Sequence, residues 1–427
     1  MIIINKNTNL TKYNLFNKRL LSNLTDKFNI KTFNKISEVG LKCFPDTKYL
    51  IDKNIKNENA IMLRSHVLKK SEISKNCIAI ARCGSGTNNC NVELMTSLGI
   101  PVFNTPGANS NSVKELVICA MLLSSRKIID GVNKVNTIYK NNLSNLNNIN
   151  EKIEELKSEF LGKEIKGKTI GIIGLGEIGK KVANISLSFD MNVIGYDPNL
   201  TIHSALHLPR NIEIADNIQK LIAESDFITI HVPYDKNNTH HLINKNLLSV
   251  MKNNATLLNF SRDELIDTYS LSNLKKNKTW NGIYVSDFHN DEMVQYNDTI
   301  IIPHLGASTI EAENNSAVIA ANTLKKYLET GEINNSVNFP IAKPNLLHDS
   351  YNRICVINKN KPGVLNGVMS ILSKYNINVE QQLSVSNDKI GYNIIDIPSD
   401  INPIYSIENV ESEINLINNV IKSRIIK

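Results

Sequence analysis

The stretch KTIGIIGLGEIGKKV, residues 168–182, carries the pattern that decides the fold. Its first part, Lys168–Gly174, is an apolar run that predicts a buried parallel strand, and a helical pattern follows the glycines. Gly174 permits a tight turn, Gly176 lets the backbone approach a pyrophosphate, and Gly179 allows close packing of helix on strand. In this strand–turn–helix context the motif predicts a dinucleotide site at the helix N-terminus.

An acidic residue at the end of the next predicted strand favours NAD over NADP. Asp197 lies 18 residues after the third glycine, where a carboxylate accepts hydrogen bonds from the adenosine ribose diol and repels a 2′-phosphate. The alternative is a plain strand–turn–helix with an incidental Asp. The residues predicted to contact the cofactor here are Gly174, Gly176, Glu177, Ile178, Gly179 and Asp197.

Short β-forming runs alternate with helical patterns through the middle of the chain, which predicts an α/β domain of the Rossmann type with a doubly wound parallel sheet. Their near-continuous apolar character is what a sheet covered on both faces requires. The predicted strands are 168–174, 192–196, 226–232, 255–260 and 282–286, with helices at 178–189 and 271–276. Earlier strands at 60–63, 78–82 and 102–104 predict a second, flavodoxin-like α/β lobe into which this domain is inserted.

The pattern restarts near Tyr351, after a short segment with two prolines. Strand, helix, strand, strand, helix and strand follow, which predicts a ferredoxin-like βαββαβ domain. The predicted divisions are an N-terminal extension (1–28), a first lobe (29–126, completed by 311–340), a dinucleotide-binding domain (127–310), a linker (341–351) and a C-terminal domain (352–427). The basic extension fits a frayed segment or a transit peptide, and the Asn-rich run 136–150 fits a surface loop or a weak helix.

Composition excludes several classes of protein. The chain has 427 residues, 41% hydrophobic and 21% charged, which is typical of two or three globular domains. Its apolar runs are too short to span a membrane. Six scattered cysteines without a CxxC pair indicate neither a disulfide framework nor a zinc ribbon, and they predict a reducing, cytoplasmic location. The pair His240-His241 has no Cys or carboxylate cluster beside it, so no metal site is predicted. The net charge of +7 forms no stripe, so no nucleic-acid partner is predicted.

Further motifs follow the glycine fingerprint in a fixed order. They are HVP (231–233), NFSR (259–262), VSDF (285–288) and PHLGAST (303–309). Together they resemble the D-isomer-specific 2-hydroxyacid dehydrogenases, and Glu311-Ala312 with NSVNFP (335–340) is similar to the branch that oxidises 3-phospho-D-glycerate to 3-phosphooxypyruvate at the entry to serine biosynthesis. The resemblance implies an NAD-dependent oxidoreductase that assembles as a homodimer or homotetramer. It also implies cofactor contacts from His231, Val232, Pro233, Ser261, Asp287 and Gly306.

Three residues fit the chemistry of 2-hydroxy acid oxidation. His304 suits the base that takes the hydroxyl proton, because imidazole titrates near neutrality. Arg262 suits a bidentate clamp for the substrate carboxylate. The resemblance places the acid that orients the imidazole at Glu292, with Asp291 as the neighbouring alternative. The family usually has Gly after the arginine, whereas this chain has Asp263, which we expect to point to solvent; the alternative is that it weakens anion binding.

A phosphorylated substrate needs cations in the first lobe. Arg64 and Arg82 each follow a predicted strand, and the resemblance implies that both reach the phosphate. The alternative is that the two arginines belong to surface ion pairs. The substrate residues predicted for this region are Arg64, Ser65, Arg82, Ser85, Gly86 and Asn109.

The C-terminal segment resembles an ACT domain, a small module that senses amino acids. Its NKPGVL turn, 360–365, matches the ligand turn of that family, and the resemblance implies that Asn360 and Asn378 bind a serine effector. Serine-inhibited relatives often carry His at Asn358, so a module that serves only oligomerisation is the alternative. For the whole chain, the alternatives are a glyoxylate or hydroxypyruvate reductase and a non-catalytic NAD-sensing regulator on the same fold.

Overall fold

The computed structural model describes residues 27–141, 149–400 and 406–427. Nearly all of the predicted extension, and residues 142–148 of the Asn-rich run, lie outside these ranges. The chain divides into two compact units. One contains the residues up to Ala108 together with Glu313–Lys427, and the other is Asn109–Ala312.

The first lobe is built on a five-stranded parallel sheet. Its strands are β1 (Phe28–Thr32), β2 (Tyr49–Asp52), β3 (Ala60–Leu63), β4 (Ala79–Arg82) and β5 (Val102–Phe103), with short helices α1 (Glu38–Leu41) and α2 (Val92–Ser97). The strand order β2-β1-β3-β4-β5 is the flavodoxin-like order that the sequence predicts. β1 and β2 were not predicted, because half-exposed side chains interrupt the apolar run that marks a buried strand.

The second unit contains a seven-stranded parallel sheet, which confirms the predicted doubly wound domain. Its strands are β6 (Thr169–Ile173), β7 (Asn192–Tyr196), β8 (Glu213–Ile214), β9 (Phe227–Ile230), β10 (Thr256–Asn259), β11 (Tyr284–Ser286) and β12 (Thr299–Ile301). Its helices are α3 (Ser110–Arg126), α4 (Ile128–Asn141), α5 (Ile149–Glu155), α6 (Gly179–Ser188), α7 (Ile202–Ala205), α8 (Ile218–Glu224), α9 (Lys245–Ser249) and α10 (Thr268–Lys276). The strand order β12-β11-β10-β9-β6-β7-β8 reverses between β6 and β9, where ligands of such sheets bind.

Helix α3 belongs to this second unit, although the sequence divides the chain after Arg126. Val113, Val117 and Met121 on α3 are buried in the same apolar cluster as the sheet residues Ile170 and Leu258. The compact unit therefore begins at Asn109, before α3.

The C-terminal segment forms the predicted ferredoxin-like fold. The long helix α11 (Ile310–Thr330) precedes it, and its elements are β13 (Tyr351–Lys359), α12 (Val364–Lys374), β14 (Gln381–Ser386), β15 (Ile390–Pro398), α13 (Ile407–Asn415) and β16 (Val420–Ile426). The strands form one antiparallel sheet in the order β14-β15-β13-β16. Residues such as Val356, Val368 and Val410 fill the core between one sheet face and the two helices.

The other face of that sheet shares a core with the first lobe. Ile357 and Tyr392 of the sheet lie in one buried cluster with Phe103 of β5 and Tyr327 of α11. Arg353, 0% exposed, donates from Nε and Nη2 to the two carboxylate oxygens of Asp396 at 2.6 and 2.8 Å. Its Nη1 donates to the carbonyl of Thr330 at the end of α11, so a buried ion pair ties sheet and helix together.

Candidate active site

The carboxyl ends of the parallel strands bring the motif residues of the second unit to one edge of the seven-stranded sheet. Gly174 follows β6, His231 follows β9 and Asp287 follows β11 directly. Arg262 and His304 each come three residues after β10 and β12. Because all seven strands run in the same direction, their ends meet at this edge, as expected for a binding site of an open α/β sheet.

The glycine turn is shaped for close contact with a ligand. Gly174 has φ +91°, and a Cβ there would approach the carbonyl oxygen of His231 to 2.5 Å. A side chain at Gly179 would collide with the carbonyl of Gly174, whereas one at Gly176 would meet nothing within 4 Å. The first and third glycines are therefore required by packing, and the second faces the open space that a pyrophosphate would need.

Asp197 connects the turn to the end of β7. Its Oδ2 accepts a hydrogen bond from the amide of Leu175 at 3.0 Å, and its Oδ1 accepts one from the amide of Asn199 at 2.9 Å. A carboxylate is thus held beside the open glycine turn. The turn, the amides at the start of α6 and this carboxylate fit an NAD molecule. Two other predicted cofactor residues are close by: Glu177 is exposed and ion-paired with Lys180, and Ile178 precedes α6.

Asp287 binds the loop that carries the histidine. Its Oδ1 and Oδ2 accept hydrogen bonds from the amides of Leu305 and Gly306, both at 2.7 Å, and the residue is 1% exposed. Burial raises the pKa of this carboxyl group above its usual range, while the two amides and His304 act in the opposite direction. A Cβ at Gly306 would lie 2.9 Å from Oδ2, so the glycine allows this close approach. The structure thus gives Asp287 a role in shaping the loop.

His304 stands in an uncommon backbone conformation. Its φ is +57°, in the left-handed region, which costs energy for a residue with a side chain and often marks a functional site. Its amide donates to the carbonyls of Asp287 at 3.1 Å and Ile302 at 2.9 Å. The exposed imidazole contacts the ring of Phe288 edge-on, with centroids 5.0 Å apart. The backbone therefore presents the imidazole at the strand edge.

Glu292, the predicted orienting acid, is held by two hydrogen bonds. Its Oε2 accepts from Ser272 Oγ at 3.4 Å, and its amide donates to Asn290 Oδ1 at 3.1 Å. Within 27–141, 149–400 and 406–427, no hydrogen bond joins Glu292 to His304. The neighbouring acid Asp291 is exposed and accepts from His289 Nε2 at 2.8 Å.

Arg262 keeps most of its donors available. Its Nη1 donates to the carbonyl of Ser261 at 2.6 Å, and its own carbonyl accepts from Asn259 Nδ2 at 2.8 Å. In the part of the chain that the structure describes, no acidic side chain forms an ion pair with it. Ser261 Oγ donates to the carbonyl of Ile230 at 2.7 Å, which fixes the end of β10 to β9. The arginine can therefore receive an anionic ligand.

Asp263 does not point to solvent, so the sequence expectation for this residue is wrong. Its Oδ2 accepts a hydrogen bond from Asn290 Nδ2 at 2.9 Å, and its Oδ1 is shielded from solvent without a hydrogen-bond partner. Burial raises the pKa of this carboxyl group, and Glu264 adds to the rise, whereas Asn290 opposes it. The side chain is thus built into the loop beside Arg262.

His231 is a neutral structural histidine. Its Nε2 lies 2.9 Å from Thr229 Oγ1, and its Nδ1 is shielded from solvent. Burial lowers the pKa of the imidazole to about 3. It therefore does not exchange protons near neutral pH. Val232 and Pro233, the other residues of this motif, lie in the loop after β9.

The predicted phosphate ligands lie in the first unit, at the ends of adjacent strands. Arg64 follows β3 and Arg82 ends β4, and Arg82 Nε donates to the carbonyl of Arg64 at 3.1 Å. Arg64 Nη1 forms an ion pair with Glu313 Oε1 at 2.6 Å. The remaining predicted substrate residues are Ser65, which is exposed, Ser85 and Gly86 in the loop after β4, and Asn109, which belongs to the second unit and precedes α3.

The predicted effector residues are exposed at the C-terminal domain. Asn360 Nδ2 donates to the carbonyl of Asn387 at 2.8 Å, and Asn378 Nδ2 donates to Glu380 Oε1 at 3.0 Å. Gly363, with φ +90°, allows the turn that starts α12. Asn358 is buried, and its Oδ1 accepts from Asn393 Nδ2 at 2.9 Å.

The described residues contain neither a candidate metal site nor a candidate membrane span. No group of three or more His, Cys, Asp or Glu side chains there is arranged to hold a metal ion. Among the same residues, no helix is both long enough and apolar enough to cross a membrane.

Sequence reasoning missed three residues that shape these sites: Asn290, Ser272 and Glu313. Asn290 and Ser272 contact Glu292, and Glu313 pairs with Arg64. Asn290 stands two residues before Glu292 in sequence, so a test for side-chain capping of a tight turn would have found it. Ser272 and Glu313 lie on helices far along the chain from their partners, and no local pattern marks them.

Two family models and several known proteins match this chain. The family model for the NAD-binding domain of D-isomer-specific 2-hydroxyacid dehydrogenases matches residues 137–306, and that for an AHAS small subunit-like ACT domain matches residues 354–422. The chain is 30% identical over 425 residues to a D-3-phosphoglycerate dehydrogenase of Dictyostelium discoideum, covering 94% of this chain and 96% of that protein. It is 33% identical over 384 residues to D-3-phosphoglycerate dehydrogenase 1 of Saccharomyces cerevisiae, covering 83% and 77%.

A solved structure supports the fold. The NAD⁺-bound 3-phosphoglycerate dehydrogenase of Entamoeba histolytica is similar with a TM-score of 0.58 and 24% identity, covering 73% of this chain and 99% of that one. At this level of identity the similarity establishes the fold.

Proposed function

Because the chain belongs to the D-isomer-specific 2-hydroxyacid dehydrogenases, we propose that it oxidises 3-phospho-D-glycerate to 3-phosphooxypyruvate with NAD, the first step of L-serine biosynthesis. The observation that carries the proposal is one sheet edge in the second unit. There the glycine turn after β6, Arg262 after β10 and His304 after β12 follow the carboxyl ends of parallel strands. A cofactor site, an anion clamp and a base are the groups that this oxidation needs.

The chain's own residues do the following work. His304 accepts the proton of the C2 hydroxyl, and Arg262 binds the substrate carboxylate with its unpaired donors. Glu292 stabilises the imidazolium once its carboxylate leaves Ser272 for His304, since hydrogen bonds of catalytic groups often tighten only with substrate bound. Bound NAD would supply the hydride acceptor for this oxidation, held by the glycine turn after β6 and by Asp197.

Phosphate recognition is assigned to the arginines of the first unit. Arg64 and Arg82 place two guanidinium groups at the ends of neighbouring strands, and Glu313 already neutralises part of that charge. A phosphate at this position competes with Glu313 for Arg64. Guanidinium groups bind phosphate oxygens in a bidentate manner, which makes these arginines suitable ligands.

The test is NADH formation by purified protein with NAD and 3-phospho-D-glycerate, compared with D-glycerate at the same concentration. We expect turnover with the phosphorylated acid and kcat/KM at least roughly 100-fold lower without the phosphate, the loss of a few charge-assisted hydrogen bonds. Turnover only with unphosphorylated acids would contradict the substrate assignment. NADH binding without turnover of any 2-hydroxy or 2-oxo acid would favour the NAD-sensing regulator.

The Arg64–Glu313 ion pair favours one alternative. In this pair Glu313 neutralises the charge of Arg64 that a substrate phosphate would otherwise neutralise. Such neutralisation suits an enzyme that acts on glyoxylate or hydroxypyruvate, which have no phosphate. Reduction of those oxo acids with NADH, measured beside 3-phosphooxypyruvate, separates the two substrate classes.

The ACT domain supports regulation by a small molecule, and we assign serine as the effector at Asn360 and Asn378. Both side chains are exposed, and their amide oxygens remain to accept an ammonium group. Millimolar serine is expected to lower activity in the wild type, and Asn360→Ala is expected to abolish this inhibition without changing turnover. Equal activity with and without serine would leave the domain as an assembly module.

We also propose a homodimer or homotetramer in a reducing, cytoplasmic compartment. Strand β14 lies at the edge of the C-terminal sheet, where a second copy can extend the sheet. All six cysteines are free, which fits reducing conditions. Light scattering of the purified protein tests the assembly, and a monomer would contradict it.

A further inference from the structure

We propose that Asp263 and Asn290 are a pair of positioning residues whose hydrogen bond sets the spacing between Arg262 and Glu292. The inference rests on the proposed function, because it assigns the pair to the arrangement of the substrate clamp and the acid of that site. Neither residue touches the reacting atoms in this assignment. Both act through their neighbours.

We call the hydrogen-bonded pair Asp263 and Asn290 the bridge. Its first half is Asp263, the residue after Arg262. Asp263 is adjacent to Arg262 in the chain, and its Oδ2 accepts from Asn290 Nδ2 at 2.9 Å. A glycine at this position could not make this contact. This chain therefore adds a carboxylate that links the arginine loop to another segment.

The second half is Asn290, which uses its whole amide group. Nδ2 donates to Asp263 Oδ2 and, at 3.1 Å, to Thr268 Oγ1 at the start of α10. Oδ1 accepts from the amide of Glu292 at 3.1 Å. Both amide protons and the amide oxygen are thus engaged, and one side chain joins the arginine loop, the helix and the acid.

The bridge fixes the backbone of Glu292 but leaves its side chain able to rotate. The backbone of Glu292 is fixed by Asn290, while its carboxylate rests on Ser272 Oγ at 3.4 Å, a long and weak contact. The side chain can therefore turn toward His304 while its origin stays fixed. Without Asn290, the segment 290–294 would lose the contact that sets this origin.

Charge makes the bridge sensitive to substitution. The Asp263 carboxylate interacts with its partner Asn290 and with the titratable groups of Glu264, His241, His289 and Tyr284. In Asn290→Asp, two carboxylates would face each other at hydrogen-bond distance, and repulsion would open the bridge at neutral pH. At lower pH the two groups share a proton, and the bridge re-forms.

The experiment compares Asn290→Ala, Asp263→Gly and Asp263→Asn, with the exposed Asn246→Ala as a matched control. Each is assayed for reduction of 3-phosphooxypyruvate across pH 6–9, with KM for NADH as a check of the cofactor site. We expect Asn290→Ala and Asp263→Gly to lower kcat roughly tenfold and to lower the apparent pKa of the kcat profile, because a misplaced Glu292 supports protonated His304 less. The double variant Asn290→Ala/Asp263→Gly should have a kcat no lower than that of Asn290→Ala alone.

Conservative variants separate positioning from general damage. Asp263→Asn keeps an acceptor for Asn290, so it should retain both kcat and the pH profile. Asn290→Asp should lose activity at pH 8 and regain it, relative to wild type, as the pH falls toward 6. Wild-type kinetics in Asn290→Ala, or an effect matched by Asn246→Ala, would overturn the proposal.

Hydrogen exchange distinguishes failure of the bridge from failure of the proposed function. In Asn290→Ala the amide of Glu292 loses its acceptor, so exchange in a peptide covering 288–294 should accelerate whether or not the wild type turns over phosphoglycerate. An inactive wild type would contradict the proposed function alone. Unchanged exchange would contradict the bridge.

Discussion

The carboxyl edges of the two parallel sheets hold their functional side chains in different ways. At the seven-stranded sheet, Asp287 is 1% exposed, and backbone amides occupy both of its oxygens. At the five-stranded sheet, the side chain of Arg64 is 34% exposed, and its ion-pair partner Glu313 is 42% exposed. The first edge fixes a loop in one geometry, and the second presents charge on a side chain that can exchange partners.

This difference corresponds to two kinds of task. Proton and hydride transfer depend on placement within a fraction of an ångström, which buried hydrogen bonds provide. Attraction between opposite charges declines slowly with distance, so a partly exposed arginine is sufficient to bind a phosphate. Substitutions of the proton-transfer residues at the first edge should therefore change kcat, and those of the arginines at the second should change KM.

Loss of the base should give the largest effect. His304→Gln is expected to lower kcat by roughly 10²–10⁴-fold, the usual contribution of a positioned general base, with NADH affinity within twofold of wild type. Steady-state kinetics and NADH fluorescence measure the two quantities. His289→Gln, an exposed histidine nearby, serves as the control. A kcat within threefold of wild type would show that His304 is not the general base.

Loss of a phosphate ligand should act on KM. Arg64→Ala is expected to raise KM for 3-phosphoglycerate by about 10–100-fold and to change kcat by less than threefold, because the proposed contact of the guanidinium is with the phosphate, which does not react. The exposed Arg210→Ala is the matched control. A fall in kcat with unchanged KM would reverse the assignment of the two edges.

The buried imidazole of His231 should make folding stability depend on pH. Its pKa is about 3 in the folded chain and about 6.5 when exposed, so the unfolded chain binds a proton between these values that the folded chain does not. Stability therefore falls as pH falls through this window, by about 2 kcal/mol from pH 7.5 to 5. His231→Gln should lose less over the same range. Urea unfolding at both pH values measures the difference, and equal losses would refute it.

Cofactor choice should respond to Asp197 with the smallest effect. Asp197→Asn keeps an oxygen for the Leu175 amide but removes the charge that repels a 2′-phosphate. The ratio of kcat/KM for NAD over NADP should fall by about tenfold, with kcat for NAD nearly unchanged. Kinetics with both cofactors measure this ratio. An unchanged preference would place discrimination elsewhere.

Much of the fold was predictable because its signals are local. The observed strands Asn192–Tyr196 and Ala60–Leu63 coincide with the predictions, since buried strands are continuous apolar runs. The same rule missed β8 and β12, whose side chains are exposed or half-exposed. The glycine spacing likewise predicted the turn where the cofactor is expected, because Gly174 and Gly179 meet packing constraints that a residue with a side chain would violate.

The partners of the site residues were not predictable. The sequence predicts a cofactor contact for Asp287, but it gives no sign that its oxygens also accept from amides 18 and 19 residues later. The sequence predicts a solvent-exposed Asp263, whereas its partner Asn290 lies 27 residues along the chain. A hydrogen bond between such residues depends on how two loops meet at the strand ends, and neither loop's sequence specifies the other.

The C-terminal domain shows the same limit at a larger scale. Its own sequence predicted every strand and helix, because alternation and helical periodicity are properties of short segments. That its open sheet face packs on the first lobe, with Arg353 and Asp396 fully buried, depends on the surface it meets. The sequence by itself thus determined the elements, their order and the residue types at the strand ends. Only the tertiary structure decided which carboxylate binds which loop, because burial and pairing arise where distant segments come together.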